Sequence, residues 1–363
     1  MVPTYIEGLI IYFNYQKNIF LWYSLSLIVD FHSTYSQLPM NNKIINWGII
    51  GCGNVTEVKS GPAFNLANNS RLVAVMRRTG RLAEDYAHRH NVPKWYDNAV
   101  DLINDPEVDA VYIATPPSSH KYYALAVAEA KKIVYVEKPM ALNYSECLEM
   151  IDKCGKLNVP LFVAYYRRAL PGFVKIKEII SSGILGDICS VEISLLKKPS
   201  ENDMQGKSNW RVDPAIAGGG YFYDLASHQI DILQFFLGDI IAANGINVNW
   251  SNLYKAEDAV TASLLFPGNI IGSGIWNFNS YKEVDRTEII AAKGSIIFST
   301  FNNDPIIIET NEGIEKISIE DPPHVQLPLI QKIVDELLGN NKSPGNGYTG
   351  AQTNKVIDWI YAK

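Results

Sequence analysis

The stretch IINWGIIGCGNVT, residues 44–56, joins a short apolar run to a turn that contains Gly51 and Gly53. The run 44–50 suits a buried strand, and we expect a helical segment from the turn to about Asn69. A dinucleotide needs such a junction because glycines permit the tight turn and let the backbone approach the pyrophosphate at a helix N-terminus. The pattern predicts cofactor contacts at Gly51, Gly53, Asn54 and Val55. Thr56 replaces the third glycine of the fingerprint, so a plain strand-to-helix turn is the alternative.

Apolar strands alternate with helices from this turn to residue 166. Strands are predicted at 71–78, 108–117, 133–139 and 160–166, and helices at 81–90, 121–132 and 144–157. Buried strands separated by helices of this length indicate a parallel sheet covered on both faces. The sequence therefore predicts an α/β Rossmann domain, a doubly wound parallel sheet, over residues 41–165.

The pattern changes after residue 166. We expect helices at 169–182, 325–339 and 349–362, and β segments at 188–196, 257–266, 269–278, 286–300 and 305–310. Turn pairs at 267–268 and 293–294 fall among these β segments, which favours antiparallel pairing. Residues 166–363 are thus predicted to form a C-terminal α+β domain for substrate binding and oligomerisation. Its large sheet is expected to be mostly antiparallel, with the last helix packing back on the Rossmann domain.

Composition excludes several classes of protein. The 363 residues are 47% hydrophobic and 19% charged, with a net charge of −6, as expected of a globular protein with a sizeable core. No long basic run suggests a nucleic-acid partner. The 4 cysteines form no C-x-x-C pair, which argues against a disulfide framework and favours a reducing, cytoplasmic setting.

Residues 1–40 differ from the rest and are predicted to be an N-terminal extension outside the fold. The apolar run 19–29 is short for a membrane span, so no membrane association is expected. The chain could begin functionally at Met40, just before the first strand. An export or anchoring role for residues 1–39 is the alternative, since the apolar run has the length of a signal-peptide core.

Two arginines end the second strand, in the stretch MRRTGR at 76–81. An NAD-binding domain usually places an acidic residue here for the ribose 2′-hydroxyl, and no acid lies between Leu72 and Ala83. Arg77 and Arg78 would instead pair with a 2′-phosphate. We therefore expect NADP to be preferred over NAD, with a solvated strand end as the alternative.

Two further stretches carry candidate catalytic groups. VEKP at 136–139 ends a buried strand at the carboxyl edge of the sheet, where Lys138 could stabilise charge on a substrate oxygen. AGGGYFYDLASHQID at 217–231 places Asp224 and His228 one helical turn apart. Histidine suits proton transfer near neutral pH. A surface lysine, a helix-end carboxylate and a core histidine are the structural alternatives.

Taken together, the motifs resemble those of the Gfo/Idh/MocA oxidoreductase family. GIIGCG, ATPPSSH (114–120), VEKPMA (136–141), VAYYRRALP (163–171), WRVDP (210–214) and GGGYFYDLASHQID (218–231) occur in the family's order. The resemblance covers residues 43–362. It implies a hydride-transfer enzyme that acts on CH–OH groups of sugars or polyols and assembles as a homodimer or homotetramer through the C-terminal sheet.

The resemblance also implies roles for individual residues. It makes Lys138, Asp224 and His228 the catalytic residues, with His228 as proton donor or acceptor. Its cofactor contacts add Thr115, Pro116, His120, Glu137, Lys138, Trp210 and Arg211. Tyr166, Arg167 and Arg168 match a segment that enters the same cleft, and we expect substrate contacts from Tyr166, Arg168, Tyr223, Asp224 and His228. No cysteine or second histidine stands near Asp224 in the sequence, so no metal site is predicted.

Three functions are compatible with these motifs. The leading hypothesis is an NADP-dependent sugar or polyol oxidoreductase. A dihydrodiol-type or other non-sugar dehydrogenase is a second possibility on the same scaffold. The third is a regulatory protein that senses dinucleotide without turnover, which would not need the set of Lys138, Asp224 and His228.

Overall fold

The computed structural model describes residues 44–362, in which two β-sheets organise the chain. The extension predicted for residues 1–40 lies outside the described residues. The first sheet is parallel and the second is mostly antiparallel, as the sequence predicted. The division between two domains near residue 165 stays a prediction.

The first sheet forms the doubly wound layer. Its strands are β1 (Ile45–Ile50), β2 (Ser70–Met76), β3 (Lys94–Tyr96), β4 (Ala110–Ile113), β5 (Ile133–Val136) and β6 (Leu161–Val163). Their order is β3-β2-β1-β4-β5-β6, and every neighbouring pair is parallel. The strand order reverses between β1 and β4, so a ligand crevice is expected at the carboxyl ends of these two strands.

Helices cover this parallel sheet. They are α1 (Ala63–Leu66), α2 (Gly80–Arg89), α3 (Ala99–Asn104), α4 (His120–Glu129) and α5 (Tyr144–Leu157). Asparagine caps begin two of them: the side chain of Asn98 accepts from the backbone N–H of Val100, and that of Asn143 from Glu146. Cys147 and Cys154 lie on the buried face of α5. The helices thus pack their apolar faces onto strands that are buried on both sides.

The second sheet has eight strands in the order β14-β13-β12-β11-β7-β10-β9-β8. The strands are β7 (Ile188–Leu196), β8 (Ala242–Val248), β9 (Ala259–Leu265), β10 (Ile271–Asn277), β11 (Val284–Ala291), β12 (Gly294–Phe298), β13 (Ile306–Thr310) and β14 (Gly313–Ile317). Only the pair of β7 and β10 is parallel among these described strands. The β segment predicted at 286–300 is two strands, β11 and β12, which pair across a turn.

Further helices join and cover this sheet. They are α6 (Pro171–Ser181), α7 (Glu201–Met204), α8 (Pro214–Ala217), α9 (Ser227–Leu237), α10 (Leu327–Leu337) and α11 (Gly347–Ile360). Helix α9 packs on one sheet face, where the indole Nε1 of Trp276 donates to Gln229 Oε1 at 2.7 Å. On β9 the residues facing this side are buried and those facing the other side, Thr261 and Ser263, are exposed. One face of the second sheet is therefore covered and the other is open.

Several elements were not predicted from the sequence, among them β3, α3, α7, α8, β8 and β14. The three strands lie at sheet edges, where few side chains are buried and the apolar pattern is weak. Strand β8 also contains Asn244–Gly245, a pair typical of turns. Gly245 is needed for packing instead, because a Cβ atom there would lie 2.5 Å from Cγ2 of Ile360 in α11.

Helix α11 bridges the two halves of the described chain. The amide Nδ2 of Asn354 donates to the carbonyl oxygen of Ala141 at 2.8 Å. The backbone N–H of Tyr144, at the start of α5, donates to Asp358 Oδ2 at 2.8 Å. The same helix packs against β8 of the second sheet. These contacts hold the sheets in one arrangement around the crevice.

Candidate active site

The turn after β1, residues 51–53, is called the phosphate turn here because its backbone has the shape that a pyrophosphate requires. Gly51 has a φ of +91°, and a Cβ atom there would lie 2.8 Å from Cγ2 of Thr115. At Gly53 the nearest atom to an added Cβ would be the Gly51 carbonyl oxygen, 3.7 Å away, so the space above it is open. Residue 51 must therefore be glycine for backbone reasons. Gly53 leaves a cradle that a larger side chain would fill, which fits close approach of a phosphate.

Thr56 stands at the position of the fingerprint's third glycine, and its side chain has a structural role there. Its hydroxyl donates to the carbonyl oxygen of Gly53 at 2.8 Å, and its own carbonyl accepts from the Tyr86 hydroxyl at 2.8 Å. The side chain is fully buried and begins a π-helical turn, Thr56–Ser60. The hydrogen bonds of the buried Thr56 thus fix the phosphate turn, while Asn54 and Val55 stay at least partly exposed.

Arg77 and Arg78 follow β2 and are both exposed. The turn that contains Gly51 is tied to the end of the same strand, because the N–H of Gly51 donates to the carbonyl oxygen of Met76 at 2.9 Å. Burial raises the pKa of the Cys52 thiol to about 11, and the positive charge of Arg77 opposes that rise. Both side chains are therefore open to a ligand, and Arg77 is close enough to the turn for its charge to act on Cys52.

His120 lies beneath the loop that it was predicted to share with the cofactor. Its Nε2 lies 2.7 Å from the carbonyl oxygen of Thr115, and its Nδ1 lies 3.0 Å from that of Pro139. The imidazole is fully buried, and this burial lowers its pKa. Thr115 and Pro116 stay partly exposed above it. The structure therefore gives His120 no surface toward the crevice, and it joins the loop after β4 to the segment after Lys138.

Glu137 is also held inside the protein. Its carboxylate accepts from the Tyr112 hydroxyl, from Gln326 Nε2 at 2.7 Å and from the N–H of Lys138 at 3.0 Å. The Tyr135 hydroxyl donates to Gln326 Oε1 at 2.9 Å. These contacts fix the strand end that carries Lys138. No sequence motif pointed to Gln326, which reaches the network from just before α10.

Lys138 and Asp224 meet across the crevice. The Nζ atom of Lys138 donates to Asp224 Oδ1 at 2.5 Å and to the Asp224 carbonyl oxygen at 2.7 Å. Nε of Arg211 lies 3.4 Å from Asp224 Oδ2, and the Arg211 guanidinium carbon lies 4.5 Å from the centre of the Trp210 ring. The side chains of Lys138 and Asp224 are 12% and 25% exposed. The structure thus brings four predicted site residues into one partly open cluster.

The cluster sets the charge on Asp224. Burial raises the pKa of its carboxyl, but the positive charge and hydrogen bond of Lys138, with the charges of Arg211 and Lys59, outweigh burial and lower it. Asp224 is therefore ionised at neutral pH. It can accept hydrogen bonds but holds no proton to give.

His228 is uncharged in the same region. Burial lowers the pKa of the imidazole, and the charges of Arg167, Lys138 and Lys59 bring it well below its ordinary value. The side chain is 4% exposed, and its ring packs against Tyr165, Tyr166 and Phe301 at centroid distances of 6.0, 5.3 and 6.0 Å. Its Nδ1 is buried and has no hydrogen-bond partner among the described residues. A ligand hydroxyl could form the hydrogen bond that Nδ1 of this neutral imidazole lacks.

Two predicted substrate residues are engaged elsewhere. Nε of Arg168 donates to both carboxylate oxygens of Asp231, at 3.0 and 2.9 Å, and Arg168 is only 5% exposed. Tyr223 is fully buried. Tyr166, in contrast, packs directly on His228. The structure therefore does not bring Arg168 or Tyr223 to the open part of the cluster, and their substrate contacts stay predictions.

The described helices and the surface of the second sheet indicate which larger partners the protein could contact. Within residues 44–362 no helix combines the length and the apolar character that crossing a bilayer requires. The open face and edge of the second sheet carry exposed apolar side chains, notably Ile246 at 68%, Ile271 at 62% and Ile275 at 51% exposure. Such a patch is typical of a surface that meets another protein.

Comparison with known proteins identifies relatives of both sheets. Residues 45–165 match a family described as "Oxidoreductase family, NAD-binding Rossmann fold", and residues 173–297 match the GFO/IDH/MocA C-terminal domain. The chain is 43% identical to Oxidoreductase P35 of Formosa agariphila, over 86% of this chain and 97% of that protein. It is 27% identical to the myo-inositol 2-dehydrogenase of Thermotoga maritima, over 73% of this chain and 78% of that protein. A levoglucosan dehydrogenase solved with NADH and L-sorbose shares the fold, with a TM-score of 0.79 at 24% identity, over 88% of this chain and 96% of that one.

Proposed function

The chain belongs to the Gfo/Idh/MocA family of oxidoreductases, and from this premise we propose that it transfers hydride between NADP and a CH–OH or carbonyl carbon of a sugar, polyol or related small molecule. Membership confirms the resemblance that the sequence motifs indicated. The observation that carries the proposal is the contact of Lys138 with Asp224 at the carboxyl edge of the parallel sheet. It puts a cation and an ionised carboxylate beside a neutral histidine, which are the groups that oxidation of an alcohol uses.

The phosphate turn supports the cofactor half of the proposal. Gly51 and Gly53 would hold the pyrophosphate, with Asn54 and Val55 at the N-terminal end of the helical segment. Thr115 and Pro116 would line the nicotinamide side, and Trp210 with Arg211 would close over it. When bound, the nicotinamide ring accepts or supplies the hydride.

We assign Lys138 the stabilisation of charge on the substrate oxygen. Its ammonium is positioned by Asp224, and Glu137 positions the backbone from which it extends. As the C–H bond breaks, negative charge develops on the oxygen, and a fixed cation in a partly desolvated site lowers the energy of that state. Asp224 would also accept a hydrogen bond from a neighbouring substrate hydroxyl.

We assign His228 the proton step. A neutral imidazole would accept the hydroxyl proton of the substrate as the alcohol is oxidised to a carbonyl, which would leave the histidine protonated. The three cations that hold the pKa of His228 down then favour release of that proton to solvent. This charge state suits oxidation of the alcohol more directly than reduction of the carbonyl.

The preference for NADP rests on Arg77 and Arg78. Both are exposed at the end of β2, where the ribose of an adenine dinucleotide lies in this fold. A guanidinium pairs with a 2′-phosphate through charge-assisted hydrogen bonds, whereas a 2′-hydroxyl gains little from it.

We further propose a homodimer or homotetramer that buries the open face of the second sheet, where Ile271 and Ile275 are exposed. A reducing, cytoplasmic setting fits the four cysteines, all of which are free thiols.

A turnover screen tests the proposal. The purified chain is mixed with NADP and a panel of polyols, inositols and aldoses, or with NADPH and ketoses, and NADPH fluorescence is followed. We expect turnover with at least one member, and Lys138→Met should lower it by roughly a hundredfold or more, while Lys153→Met, on helix α5, should not. Binding of NADPH with no turnover of any member would favour the dinucleotide-sensing alternative instead.

A further inference from the structure

A cavity of about 390 Å³ lies between helix α6 and strands β12 and β13. Tyr166 and Phe301 line this cavity and also pack against the His228 ring. Arg167, Thr300 and Lys59 line it as well. Its volume falls in the range of small-molecule sites. The cavity thus shares two wall residues with the surroundings of His228, so a substrate bound at His228 could place a second group in it.

Unpartnered hydrogen-bonding groups gather on one wall of this cavity. Arg167 is 7% exposed, and its Nε donates to the carbonyl oxygen of Thr300 at 2.8 Å. Its Nη1 and the Thr300 hydroxyl are both buried, and neither has a hydrogen-bond partner among the described residues. A guanidinium can only donate, and a buried charged donor without an acceptor raises the free energy of the folded protein. An acceptor that enters the cavity could satisfy this donor.

The neighbouring Arg168, in contrast to Arg167, has a carboxylate partner. Arg168 binds the Asp231 carboxylate through Nε, whereas no carboxylate of residues 44–362 lies within 4.0 Å of the Arg167 guanidinium. The Arg167 guanidinium carbon instead lies 5.0 Å and 4.7 Å from the ring centres of Tyr166 and Phe301. These two rings hold the guanidinium in a fixed orientation without neutralising it.

The charges around the cavity favour an anion on the side of His228. The positive charges of Arg167, Lys138 and Lys59 all act on that imidazole. Asp304 and Asp321 are the carboxylates on the cavity wall. Burial raises the pKa of Asp321, against the opposing charge of Arg167, so this carboxyl loses its proton less readily than an exposed aspartic acid does.

We infer that the cavity binds a carboxylate of the substrate through Arg167, Thr300 and Lys59, so that the enzyme acts on sugar acids rather than on neutral sugars. The inference rests on the proposed function. A planar guanidinium matches a carboxylate in shape and charge, and the Thr300 hydroxyl can donate to the same group. The reacting CH–OH would then lie at His228 while the acid group lies beyond Tyr166.

Matched pairs of substrates test the inference. With NADP and the full chain, kcat/KM is measured for D-glucuronate against D-glucose and for D-galacturonate against D-galactose. We expect the acid of at least one pair to be preferred by about tenfold or more, as one charge-assisted contact provides. Arg167→Met should lower kcat/KM for the acid by roughly 10- to 100-fold more than for the neutral sugar, because only the acid loses a charge-assisted contact. The charge-matched control Lys153→Gln should change neither.

A second measurement, thermal unfolding, does not depend on turnover, and it uses two further variants in case Arg167→Met does not fold. The thermal unfolding midpoint of the NADP-bound protein should rise with D-glucuronate or D-galacturonate, and Lys59→Gln and Thr300→Val should each reduce the rise. If no sugar is turned over, the proposed function fails, and the acid-dependent rise still decides whether the cavity binds carboxylates. Neutral sugars that serve as well as their acids, or Arg167→Met acting equally on both, would overturn the inference.

Discussion

The Nζ atom of Lys138 lies 2.5 Å from Oδ1 of Asp224, although 86 residues separate the two in the chain. One residue follows a strand of the parallel sheet, and the other stands just before the helix that covers the second sheet. Their contact is a direct hydrogen bond between the half that contains the parallel sheet and the half that contains the second sheet. Any change in how the halves pack must therefore change the geometry of the proposed catalytic lysine.

Replacing Lys138 by methionine should separate chemistry from cofactor binding. We expect kcat to fall by roughly a hundredfold or more, because a fixed cation next to the reacting oxygen is lost. NADPH affinity should change much less, since the phosphate turn is untouched. Steady-state kinetics and a fluorescence titration with NADPH measure the two effects. Unchanged kcat would show that Lys138 has no part in the reaction.

Mild acid should destabilise the fold through His228. The pKa of this imidazole is well below the ordinary value of 6.5, so the unfolded chain takes up a proton that the folded chain does not. The free energy of unfolding should therefore fall as the pH drops below about 6.5, by up to about 1.4 kcal/mol per pH unit for this histidine. His228→Gln should show a shallower decline in urea unfolding measured between about pH 7 and pH 5. The pKa of His120 is also lowered, and this histidine contributes equally to the pH dependence of stability in the wild type and in His228→Gln. Identical slopes for the two proteins would show that His228 is not the group responsible.

Substitution of the two exposed arginines should change cofactor choice. Arg77→Ala and Arg78→Ala should each weaken NADPH binding by about tenfold or more, the value of a charge-assisted hydrogen bond, and leave NADH binding nearly unchanged. Parallel titrations with NADPH and NADH measure the ratio. If the wild-type protein binds NADH as tightly as NADPH, these arginines are only a solvated strand end.

Two alanine substitutions in the phosphate turn should have different effects. Gly51→Ala forces a side chain into a φ of +91° and into contact with Thr115, so we expect a loss of about 1–3 kcal/mol of stability. Gly53→Ala meets nothing closer than 3.7 Å and should leave stability nearly unchanged while weakening dinucleotide binding. Thermal unfolding without and with NADPH distinguishes them. A Gly53→Ala protein with normal NADPH affinity would argue against a pyrophosphate at this turn.

A charge on the open sheet face should disrupt assembly. Ile271 is 62% exposed, and Ile271→Lys would place an ammonium in an apolar interface. Light scattering after size-exclusion chromatography should show a lower mass for Ile271→Lys than for wild type, with Ile314→Lys, on edge strand β14, as the control. A wild-type monomer would remove the proposed interface.

The sequence predicted the buried strands well and the edge strands poorly. A central strand such as β1 has apolar side chains on both faces, so its composition alone identifies it. Strand β8 is mostly exposed and contains a pair of residues typical of turns, and only tertiary pairing with β9 makes it a strand. Local pattern therefore identifies the core and misses the elements that depend on neighbours.

The candidate site divides in the same way. Lys138, Asp224 and His228 stand in motifs, so they could be identified in the sequence, whereas Gln326 and Thr300 belong to no motif. Which of two adjacent arginines reaches the cavity could not be predicted, because both lie in one short helical turn, Tyr166–Ala169. The prediction chose Arg168 for the substrate, yet Arg168 binds Asp231 while Arg167 lines the cavity.

The hydrogen bond from Gln326 to Glu137 spans 189 residues and has a consequence for biosynthesis. All six strands of the cofactor-binding sheet leave the ribosome before Gln326 does. The segment that carries Lys138 consequently gains this support only after residue 326 has been synthesised. A nascent chain that stops short of Gln326 contains every strand of the parallel sheet and still lacks the group that holds Glu137, so the position of the lysine depends on a residue made long after the sheet itself.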